Sequence, residues 1–406
     1  MSLRVAVLGA GVTGVTAAYY LSQQGHRVTV IDRAGEAAAE TSHANGSQLS
    51  YSYTDPLAQP SLLKLMPGAM LGSDRGIRMA MLGNFRLYDW GPAFLRECTA
   101  GRARENMLAV LDVALRSSRL LDELMEAVPL SFQWRPAGKL VLLSTDSEAT
   151  LARERCGLKR AAGCDVDVLD PQAAIEREPA LADMQQEIAA AVYAPGDAVG
   201  DARAFSAGLA EWLQRERGVE FRFGTTIEGL HLTADRLQAV ELGDERLDVD
   251  AAVVSMGPWS TELLSRYGVR LPIYPIRGYS VTLPAGSRAP TVSITSVASR
   301  IVWSRLGDQV RIAGFADFVG MDTSGDAERV QQLVDVAERV APQAADYRAS
   351  QRHPWGGFRP VTPDSRPRVG RTRVPGLYIN TGHGVLGWTL ACATAESLAA
   401  TVSADA

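Results

Sequence analysis

A glycine pattern close to the N-terminus restricts the fold of this chain more than any other feature of its sequence. Gly9, Gly11 and Gly14 form G-x-G-x-x-G. The pattern directly follows the apolar run Arg4–Leu8 and opens a helix-like stretch, Thr13–Gln24. Glycines at this spacing permit a tight turn, close approach of the backbone to a pyrophosphate, and close contact between helix and strand. The segment therefore predicts a strand, a tight turn and a helix in direct succession.

An acidic residue stands where a second strand of this unit would end. The strand-like run Arg27–Ile31 is followed at once by Asp32, whose carboxylate can accept hydrogen bonds from a ribose diol. The helix start at Val12 and Thr13 offers unpaired N–H groups and the positive end of a helix dipole to a diphosphate. The alternative to a nucleotide-binding site is a glycine turn in a βαβ unit that binds no dinucleotide. Strand, turn, helix and terminal acid together predict a dinucleotide-binding unit of Rossmann type.

The residues around this unit favour FAD over a nicotinamide cofactor. Arg33 follows the acid, a feature that would also suit NADP. However, segment 40–47 is rich in small polar groups, and segment 382–387, G-H-G-V-L-G, is a second glycine-rich loop that enters a C-terminal helix. A buried flavin needs one helix N-terminus at its diphosphate and another facing the N1–C2=O2 edge of its ring. We therefore expect FAD.

Composition narrows the class of protein. The chain has 406 residues, which suggests two domains, and its 46% hydrophobic and 21% charged residues are typical of a globular protein. The net charge of −5 gives no reason to expect nucleic acid as a partner. The cysteines form no C-x-x-C pair, so we expect neither a disulfide framework nor a metal site, and we expect the chain in the cytoplasm. The N-terminal apolar run is too short for an export signal or a membrane span, which leaves peripheral contact with the inner face of a membrane open.

Helix-type and strand-type segments alternate at both ends of the chain, with a more irregular middle. Apolar residues at helical spacing predict helices at 104–128, 202–217 and 326–340, and a strand, a loop and a helix are expected over 376–402. One domain assembled from both termini, with a second domain inserted, explains this order. Further strands are predicted at 139–144, 219–223, 251–255, 279–283 and 311–315.

The expected fold class is α/β, with a Rossmann-type FAD-binding domain and an inserted α+β substrate domain. The FAD-binding domain is predicted to be discontinuous. It is expected to take residues 1–85, 197–272 and 350–406, and the substrate domain to take residues 86–196 and 273–349.

Several segments beyond the glycine turn resemble one family in both content and order. They are V-L-G-A-G-V-T-G-V-T-A-A-Y-Y-L (7–21), G-H-R-V-T-V-I-D-R (25–33), P-I-R-G-Y-S-V-T (275–282), G-F-R-P-V-T-P-D (357–364) and N-T-G-H-G-V-L-G-W-T-L-A-C (380–392). With them the chain resembles the D-amino acid oxidase superfamily, and most closely the bacterial FAD-dependent D-amino acid dehydrogenases. The segments span nearly the whole chain. They are less specific for substrate, because enzymes of hydroxyproline, glycine and other secondary amines share them.

The resemblance implies a set of residues that contact FAD. The glycine turn and Asp32 match the family's fingerprint and ribose acid, and segment 41–45 matches its loop along the diphosphate and the isoalloxazine ring. Residues 384–386 match the backbone amides that face flavin O2. The full set expected at FAD is Gly9, Gly11, Val12, Thr13, Gly14, Asp32, Arg33, Thr41, Ser42, His43, Ala44, Asn45, Gly46, Gly257, His383, Gly384, Val385, Leu386 and Gly387.

Three residues are expected at the substrate. Arg359 of G-F-R-P matches the family's arginine that grips the substrate carboxylate, and a guanidinium can clamp a carboxylate through two parallel hydrogen bonds. It lies in a stretch with turn character, and the alternative is a structural ion pair with Asp364. Tyr279 and Tyr53 match positions that line the same pocket, although packing roles would also suit both.

His43 departs from the resembling dehydrogenases, which usually have an aromatic residue at this position. Some sarcosine- and dimethylglycine-type relatives carry a histidine here that is bonded covalently to the flavin. The neighbouring Ala44 and Gly46 are small, so the loop could lie close against the ring. We expect noncovalent contact between His43 and FAD. Covalent attachment, and simple packing or hydrogen bonding of the imidazole, are the alternatives.

The reaction implied by the resemblance is oxidative deamination of a small amino acid, such as D-alanine, to the 2-oxo acid. Arg359 would hold the carboxylate so that the Cα hydrogen leaves as hydride toward flavin N5. This route needs no base at Cα, and the sequence shows none. Electrons would pass to a quinone of the respiratory chain or to another non-oxygen acceptor. Two alternatives stay open: the flavin subunit of a multi-subunit dehydrogenase, and an enzyme of hydroxyproline, glycine or another N-substituted amino acid.

Overall fold

A computed structural model describes residues 1–63, 68, 74, 76–80 and 84–406. The strands with described bounds are β1 (Arg4–Leu8), β2 (Arg27–Ile31), β3 (Gln48–Leu49), β4 (Ile77–Met79), β5 (Lys139–Leu143), β6 (Asp167–Leu169), β7 (Ala190–Ala194), β8 (Ala198–Val199), β9 (Glu220–Arg222), β10 (Gly229–Thr233), β11 (Arg236–Leu242), β12 (Glu245–Asp248), β13 (Ala251–Val254), β14 (Tyr274–Pro284), β15 (Ser293–Ser296), β16 (Ile301–Leu306), β17 (Gln309–Phe318), β18 (His353–Val361), β19 (Arg368–Arg371) and β20 (Leu377–Thr381).

The helices with described bounds are α1 (Val12–Gln23), α2 (Phe85–Glu97), α3 (Ala100–Ala127), α4 (Asp146–Ala161), α5 (Pro171–Arg177), α6 (Ala202–Arg217), α7 (Ser260–Ser265), α8 (Asp326–Val340) and α9 (Gly387–Ala404). Short 3₁₀ turns precede α7 and α9, at Gly257–Trp259 and Gly384–Leu386.

The first large sheet has six strands in the order β19-β20-β13-β1-β2-β9. Its pairs are parallel except for the antiparallel pair of β19 with β20. The central strand β1 is flanked by β2 and β13, and β1 from Val5 onward and all of β13 are continuous apolar runs. Such runs are expected in parallel strands, because both faces of a parallel sheet are covered.

The two faces of the first sheet are covered differently. On one face α1, α3, α6 and α9 pack together, and their apolar side chains share a core with Val7 and Val253 of the sheet. On the other face lies the small antiparallel sheet β10-β11-β12, where Leu237 and Val240 pack against Leu8. Both faces of the Rossmann unit are therefore buried, and only the strand ends are free to meet a ligand.

The second large sheet has nine strands. Eight of them follow the order β18-β14-β17-β16-β15-β5-β7-β6, and β4 pairs with β17. Because side chains alternate along a strand, every strand has two different faces. Trp303, Ile312 and Leu333 of α8 belong to the core on one face. On the other face, alternate residues such as Arg311 and Ala313 point toward the first domain.

Helix α3 lies elsewhere than the predicted domain boundary implies. We assigned residues 86–196 to the substrate domain, but α3 packs along α9, and Leu121 and Leu124 share the core of the first sheet. Leu111 of the same helix packs in a separate core with Cys156 and Ala194, so α3 contacts both sides of the predicted boundary. The remaining boundaries stay a prediction.

Most predicted elements appear within one to four residues of their expected bounds. An exception is the stretch around Arg359, which has turn character in sequence but lies in strand β18. β18 pairs with β14 at the end of the strand order among the described residues, and such an edge strand can accommodate a proline.

One helical stretch in the described part of the chain, Gly384–Ala404, is long and apolar enough to cross a membrane. It is mostly buried and packs against α1 and α3, as the core helix of a globular domain does. All four cysteines are buried as free thiols.

Candidate active site

A cavity of about 660 Å³ lies between the two large sheets, at the carboxyl ends of β1 and β2. Ligands of open α/β sheets bind at this edge of the strands. Nearly all residues that the sequence places at FAD or substrate line this cavity: Gly9, Gly11, Val12, Thr13, Asp32, Arg33, Thr41, Ser42, Ala44, Asn45, Gly46, Tyr53, Gly257, Tyr279, Arg359, His383, Gly384, Val385, Leu386 and Gly387. Gly14 and His43 are the two that do not line it.

The glycine turn has no room for side chains. Gly9 has φ +105°, and a Cβ there would lie 2.7 Å from the carbonyl oxygen of Ser255. A Cβ on Gly14 would lie 1.9 Å from the Gly9 carbonyl oxygen, so Gly14 serves the contact between helix and turn rather than the cavity wall. The Ser255 hydroxyl lines the cavity and has no hydrogen-bond partner among the described residues. A backbone turn at a helix N-terminus with a free hydroxyl beside it suits the diphosphate of FAD.

Asp32 connects the second strand to the glycine turn. Its carboxylate accepts hydrogen bonds from the backbone N–H of Ala10 at 2.7 Å and of Ala34 at 2.8 Å. Each oxygen retains a further lone pair, and the residue lines the cavity. Contact with a ribose diol stays a prediction. Arg33 forms an ion pair with Glu40 at 2.6 Å and stacks over the Trp259 ring, so its charge is already paired.

Segment 41–47 is fastened to the second sheet along its length. Thr41 donates its hydroxyl to the Phe358 carbonyl at 2.7 Å, and Ser280 donates to the Ala44 carbonyl at 2.6 Å. Ser304 donates to the carbonyl of Gly46 at 2.8 Å. These bonds place the small side chains of the segment in the cavity wall, between the glycine turn and the second sheet.

His43 is the one residue of this segment that the structure turns away from the cavity. Its backbone N–H donates to the Glu40 carbonyl at 2.9 Å. Burial, followed by the positive charge of Arg203, lowers the pKa of its imidazole. The side chain therefore faces charges at the N-terminal end of α6. Covalent attachment of FAD through His43 has no support from this geometry, and noncovalent contact stays a prediction.

The C-terminal glycine loop forms a further part of the cavity wall. Gly384 has φ +57°, and the 3₁₀ turn Gly384–Leu386 leads directly into α9. Backbone N–H groups at the start of this helix carry its positive dipole end. His383 beside them is buried, and this burial lowers its pKa to about 3, so its imidazole is neutral and hydrogen-bonded to Thr394 at 3.0 Å. Two helix N-termini thus contribute to one cavity, as a bound FAD requires.

Arg359 lies in the cavity wall, and hydrogen bonds to two backbone carbonyl oxygens hold its guanidinium in place. It donates to the carbonyl oxygens of Phe315 at 2.7 Å and Gly314 at 3.3 Å. Phe315 has φ +58°, and the register of β14 and β17 shifts beside it, which is a bulge of the kind found near active sites. Asp364 forms its ion pair with Arg368 at 2.9 Å, so the alternative role of Arg359, an ion pair with Asp364, is wrong. Burial lowers the pKa of Arg359 to about 10, and the group stays charged at neutral pH.

The two tyrosines line the cavity with their rings. Tyr279 donates its hydroxyl to Asp317 at 2.9 Å, and Asp317 is fully buried and also paired with Arg329 at 2.7 Å. The hydroxyl hydrogen of Tyr279 is therefore already committed to a carboxylate. The Tyr53 ring lies 4.8 Å from Lys139 Nζ. A direct role of either hydroxyl at the substrate stays a prediction.

Sequence reasoning missed several residues of the cavity wall. Lys139 and Gln48 line it and are hydrogen-bonded to each other at 2.8 Å. A lysine that opens the otherwise apolar run K-L-V-L-L was the available signal. The cavity wall also includes the apolar residues Leu57, Leu62, Ile77, Ala316 and Phe318. These come from four separate segments, so no local pattern could join them.

Comparison with known proteins finds relatives over the whole length of the chain. The family model described as DAO, FAD dependent oxidoreductase, matches residues 4–401. A D-amino acid dehydrogenase of Dechloromonas aromatica is 39% identical over 408 residues, covering 99% of this chain and 97% of the relative. A D-amino acid dehydrogenase 2 of Ralstonia nicotianae is 37% identical, covering 98% and 96%.

Solved structures resemble the fold. Glycine oxidase from Geobacillus kaustophilus has a TM-score of 0.76 at 21% identity, covering 99% of this chain and 95% of that chain. L-proline dehydrogenase from P. horikoshii has a TM-score of 0.75 at 18% identity, covering 99% and 93%. The predicted α/β fold with a Rossmann-type FAD-binding domain is confirmed. FAD as the cofactor is confirmed as well.

Proposed function

Because the chain belongs to the DAO family of FAD-dependent oxidoreductases, we propose that it oxidises a small D-amino acid, such as D-alanine, to the 2-oxo acid. Relatives that cover nearly the whole chain are named D-amino acid dehydrogenase, which supports both the amino acid and the D configuration.

The observation that carries the proposal is the state of Arg359. Its guanidinium is charged, lines the cavity, and is held by two backbone carbonyls. A guanidinium has five N–H donors in a planar fork, so further donors remain for a ligand. A carboxylate bound by two parallel hydrogen bonds would satisfy them and neutralise a buried charge. The same cavity has apolar lining residues such as Ala316 and Phe318, which would suit the small side chain of an amino acid such as alanine.

The chain's own residues would orient the substrate. With the carboxylate on Arg359, and the amino group and side chain held by the rest of the cavity wall, the Cα–H bond would be oriented for transfer, and this positioning would supply part of the rate enhancement. FAD supplies the acceptor for the two electrons that leave with the Cα hydrogen. The amino group must be neutral for this step, and loss of a proton from nitrogen then gives the imino acid. Water adds to the imine carbon, ammonia leaves, and the 2-oxo acid results.

Electrons are proposed to pass to a quinone or another non-oxygen acceptor. The word dehydrogenase in the names of the relatives supports this choice. Contact with the inner face of a membrane would bring such an acceptor close. In support, Phe85, Tyr88 and Leu95 of α2 are exposed on the protein surface. The buried free cysteines support a cytoplasmic location.

The proposal is tested by a substrate panel read from the flavin spectrum. The purified holoprotein is mixed without oxygen with D- and L-alanine, other D-/L- pairs, glycine, sarcosine and hydroxyproline. We expect D-alanine to bleach the flavin band and L-alanine to leave it unchanged. Bleaching by sarcosine, glycine or hydroxyproline alone would contradict the proposal and favour a secondary-amine or glycine enzyme.

The same preparation tests the acceptor. With D-alanine present, turnover is followed with an indophenol dye, a short-chain quinone and oxygen in turn. We expect the single chain to turn over dye and quinone much faster than oxygen. Failure to turn over any acceptor, despite bleaching by D-alanine, would indicate that a partner subunit is required.

A further inference from the structure

A buried lysine in the cavity wall has no place in the reaction described above. Lys139 opens strand β5 and is 3% exposed. Its ammonium donates to Gln48 Oε1 at 2.8 Å and to Ser50 Oγ at 2.7 Å, and lies 4.8 Å from the centre of the Tyr53 ring. Burying a charge is costly unless it is paired, so a lysine in this position requires an explanation.

The hydrogen-bond acceptors of Lys139 are neutral. The carboxylate that acts on it electrostatically, Asp197, is held by the backbone N–H and the hydroxyl of Ser52, each at 3.0 Å. A second buried lysine, Lys159, shows the contrast. It is also 3% exposed, but its ammonium contacts Asp55 at 2.5 Å. The charge of Lys159 is in direct contact with a carboxylate, whereas among the described residues the hydrogen bonds of the Lys139 ammonium go to an amide oxygen and a hydroxyl oxygen.

The surroundings of Lys139 are the ring end of the FAD cavity. Its acceptors Gln48 and Ser50 continue the wall segment 41–47 and themselves line the cavity. The backbone N–H of Ser50 donates to Thr389 Oγ1 at 3.0 Å, in the first turn of α9. The loop that precedes this turn also lines the cavity. With the diphosphate at the glycine turn, the ring of FAD is expected beside this second helix N-terminus.

We propose that Lys139 is a positioning residue for the redox step, whose ammonium raises the reduction potential of bound FAD. The ring gains negative charge when it accepts an electron pair, and a fixed positive charge beside it stabilises that state. The N-terminus of α9 contributes a partial positive charge at the same end. The inference rests on FAD binding and not on which amino acid is oxidised.

The size of the effect follows from Coulomb's law. Two unit charges on the order of 10 Å apart, at an effective dielectric constant of about 20, change an equilibrium constant by roughly tenfold. For a two-electron couple, a tenfold change corresponds to about 30 mV. We therefore expect removal of the Lys139 charge to lower the potential by about this amount.

The experiment compares variants of the holoprotein by anaerobic equilibration with a redox dye. Lys139→Gln retains a hydrogen-bond donor but no charge, and should shift the equilibrium about tenfold toward oxidised FAD. Lys139→Arg retains the charge and should stay within about twofold of the wild type. Lys159→Met is the matched control, since it removes a buried lysine whose charge is paired, and it should also stay within about twofold.

The wild type alone provides a second test, through the pH dependence of its potential. Burial lowers the pKa of Lys139 to about 8. Above this pH, reduction draws a proton onto Lys139 until the pH also exceeds its pKa in the reduced protein, so the equilibrium should fall by about tenfold in total, which is about 30 mV, and then level off. The other charged or titratable groups that act on Lys139 or face it are Asp197, Lys159 and Tyr53. Burial raises the pKa of Asp197 to about 6 and raises that of Tyr53 above its usual range, so neither titrates in this window.

The outcomes separate a charge effect from a purely structural one. An unchanged potential in Lys139→Gln at full FAD content would overturn the proposal. So would a wild-type potential without this extra fall above pH 8. Lower FAD content with an unchanged potential would mean that Lys139 only holds segment 48–50. Because these titrations use no amino acid, they stand even if the substrate panel contradicts the proposed function.

Discussion

Replacement of Arg359 by leucine is the most direct perturbation of the proposed substrate site. Leucine fills part of the same space but removes the charge and all five N–H donors of the guanidinium. The substrate carboxylate would then lose two charge-assisted hydrogen bonds inside a buried cavity. The carbonyls of Gly314 and Phe315 would lose their donor as well.

The magnitude follows from these contacts. Losing one partner of a buried, hydrogen-bonded charge pair costs about 2–5 kcal/mol. Since each 1.36 kcal/mol is a factor of ten, kcat/KM for the amino acid should fall by roughly 30-fold to several thousand-fold. Most of the loss should appear as a higher KM. The FAD content should stay near normal, because the guanidinium of Arg359 is hydrogen-bonded to Phe315 and Gly314 and not to the glycine turn.

The assay is steady-state turnover with an artificial electron acceptor, together with the absorbance ratio of flavin to protein. Arg359→Lys serves as a graded variant, since it retains the charge but loses the planar fork, and it should fall between wild type and Arg359→Leu. Arg339→Leu, at an exposed position of α8, is the matched surface control. Wild-type kcat/KM in Arg359→Leu would refute the carboxylate clamp.

Three further predictions concern the walls of the cavity. Gly278→Ala should raise KM like a mild Arg359 variant, because the new Cβ would lie 2.2 Å from Arg359 Nη2, and substrate titration measures this. Gly14→Ala should yield protein with little bound FAD, since its Cβ would lie 1.9 Å from the Gly9 carbonyl oxygen; a flavin absorbance equal to wild type would contradict this. Acid precipitation of the wild type should leave flavin in the supernatant, because His43 does not line the cavity; flavin in the pellet would show a covalent link.

Local signals were sufficient for the Rossmann unit. β1 and β2 have the predicted bounds, Arg4–Leu8 and Arg27–Ile31, and α1 begins one residue before its predicted start. Gly9 and Gly11 also lie close to Ser255 and Ser42, whereas Gly14 lies against Gly9, five residues away. Contacts of such short range leave a pattern in the sequence, which is why the cofactor could be predicted from it.

Sequence patterns did not predict where a segment lies relative to the two sheets. The residues around Arg359 have turn character because glycine and proline are common in turns, yet they form an edge strand. Helix α3 was predicted from its periodicity, but its apolar stripe could not indicate which of two sheets it would cover. An amphipathic pattern shows that a face is buried and not what buries it.

The sequence by itself determined the fold class, the cofactor and the identity of Arg359 as a candidate substrate ligand, because those depend on short motifs in a recognisable order. Only the tertiary structure decided that Arg359 is free of Asp364, that His43 faces away from the cavity, and that Lys139 lies beside segment 48–50. Each of those facts is a contact between segments distant in sequence. Such contacts depend on how two sheets pack face to face, and no local pattern of residues encodes that arrangement.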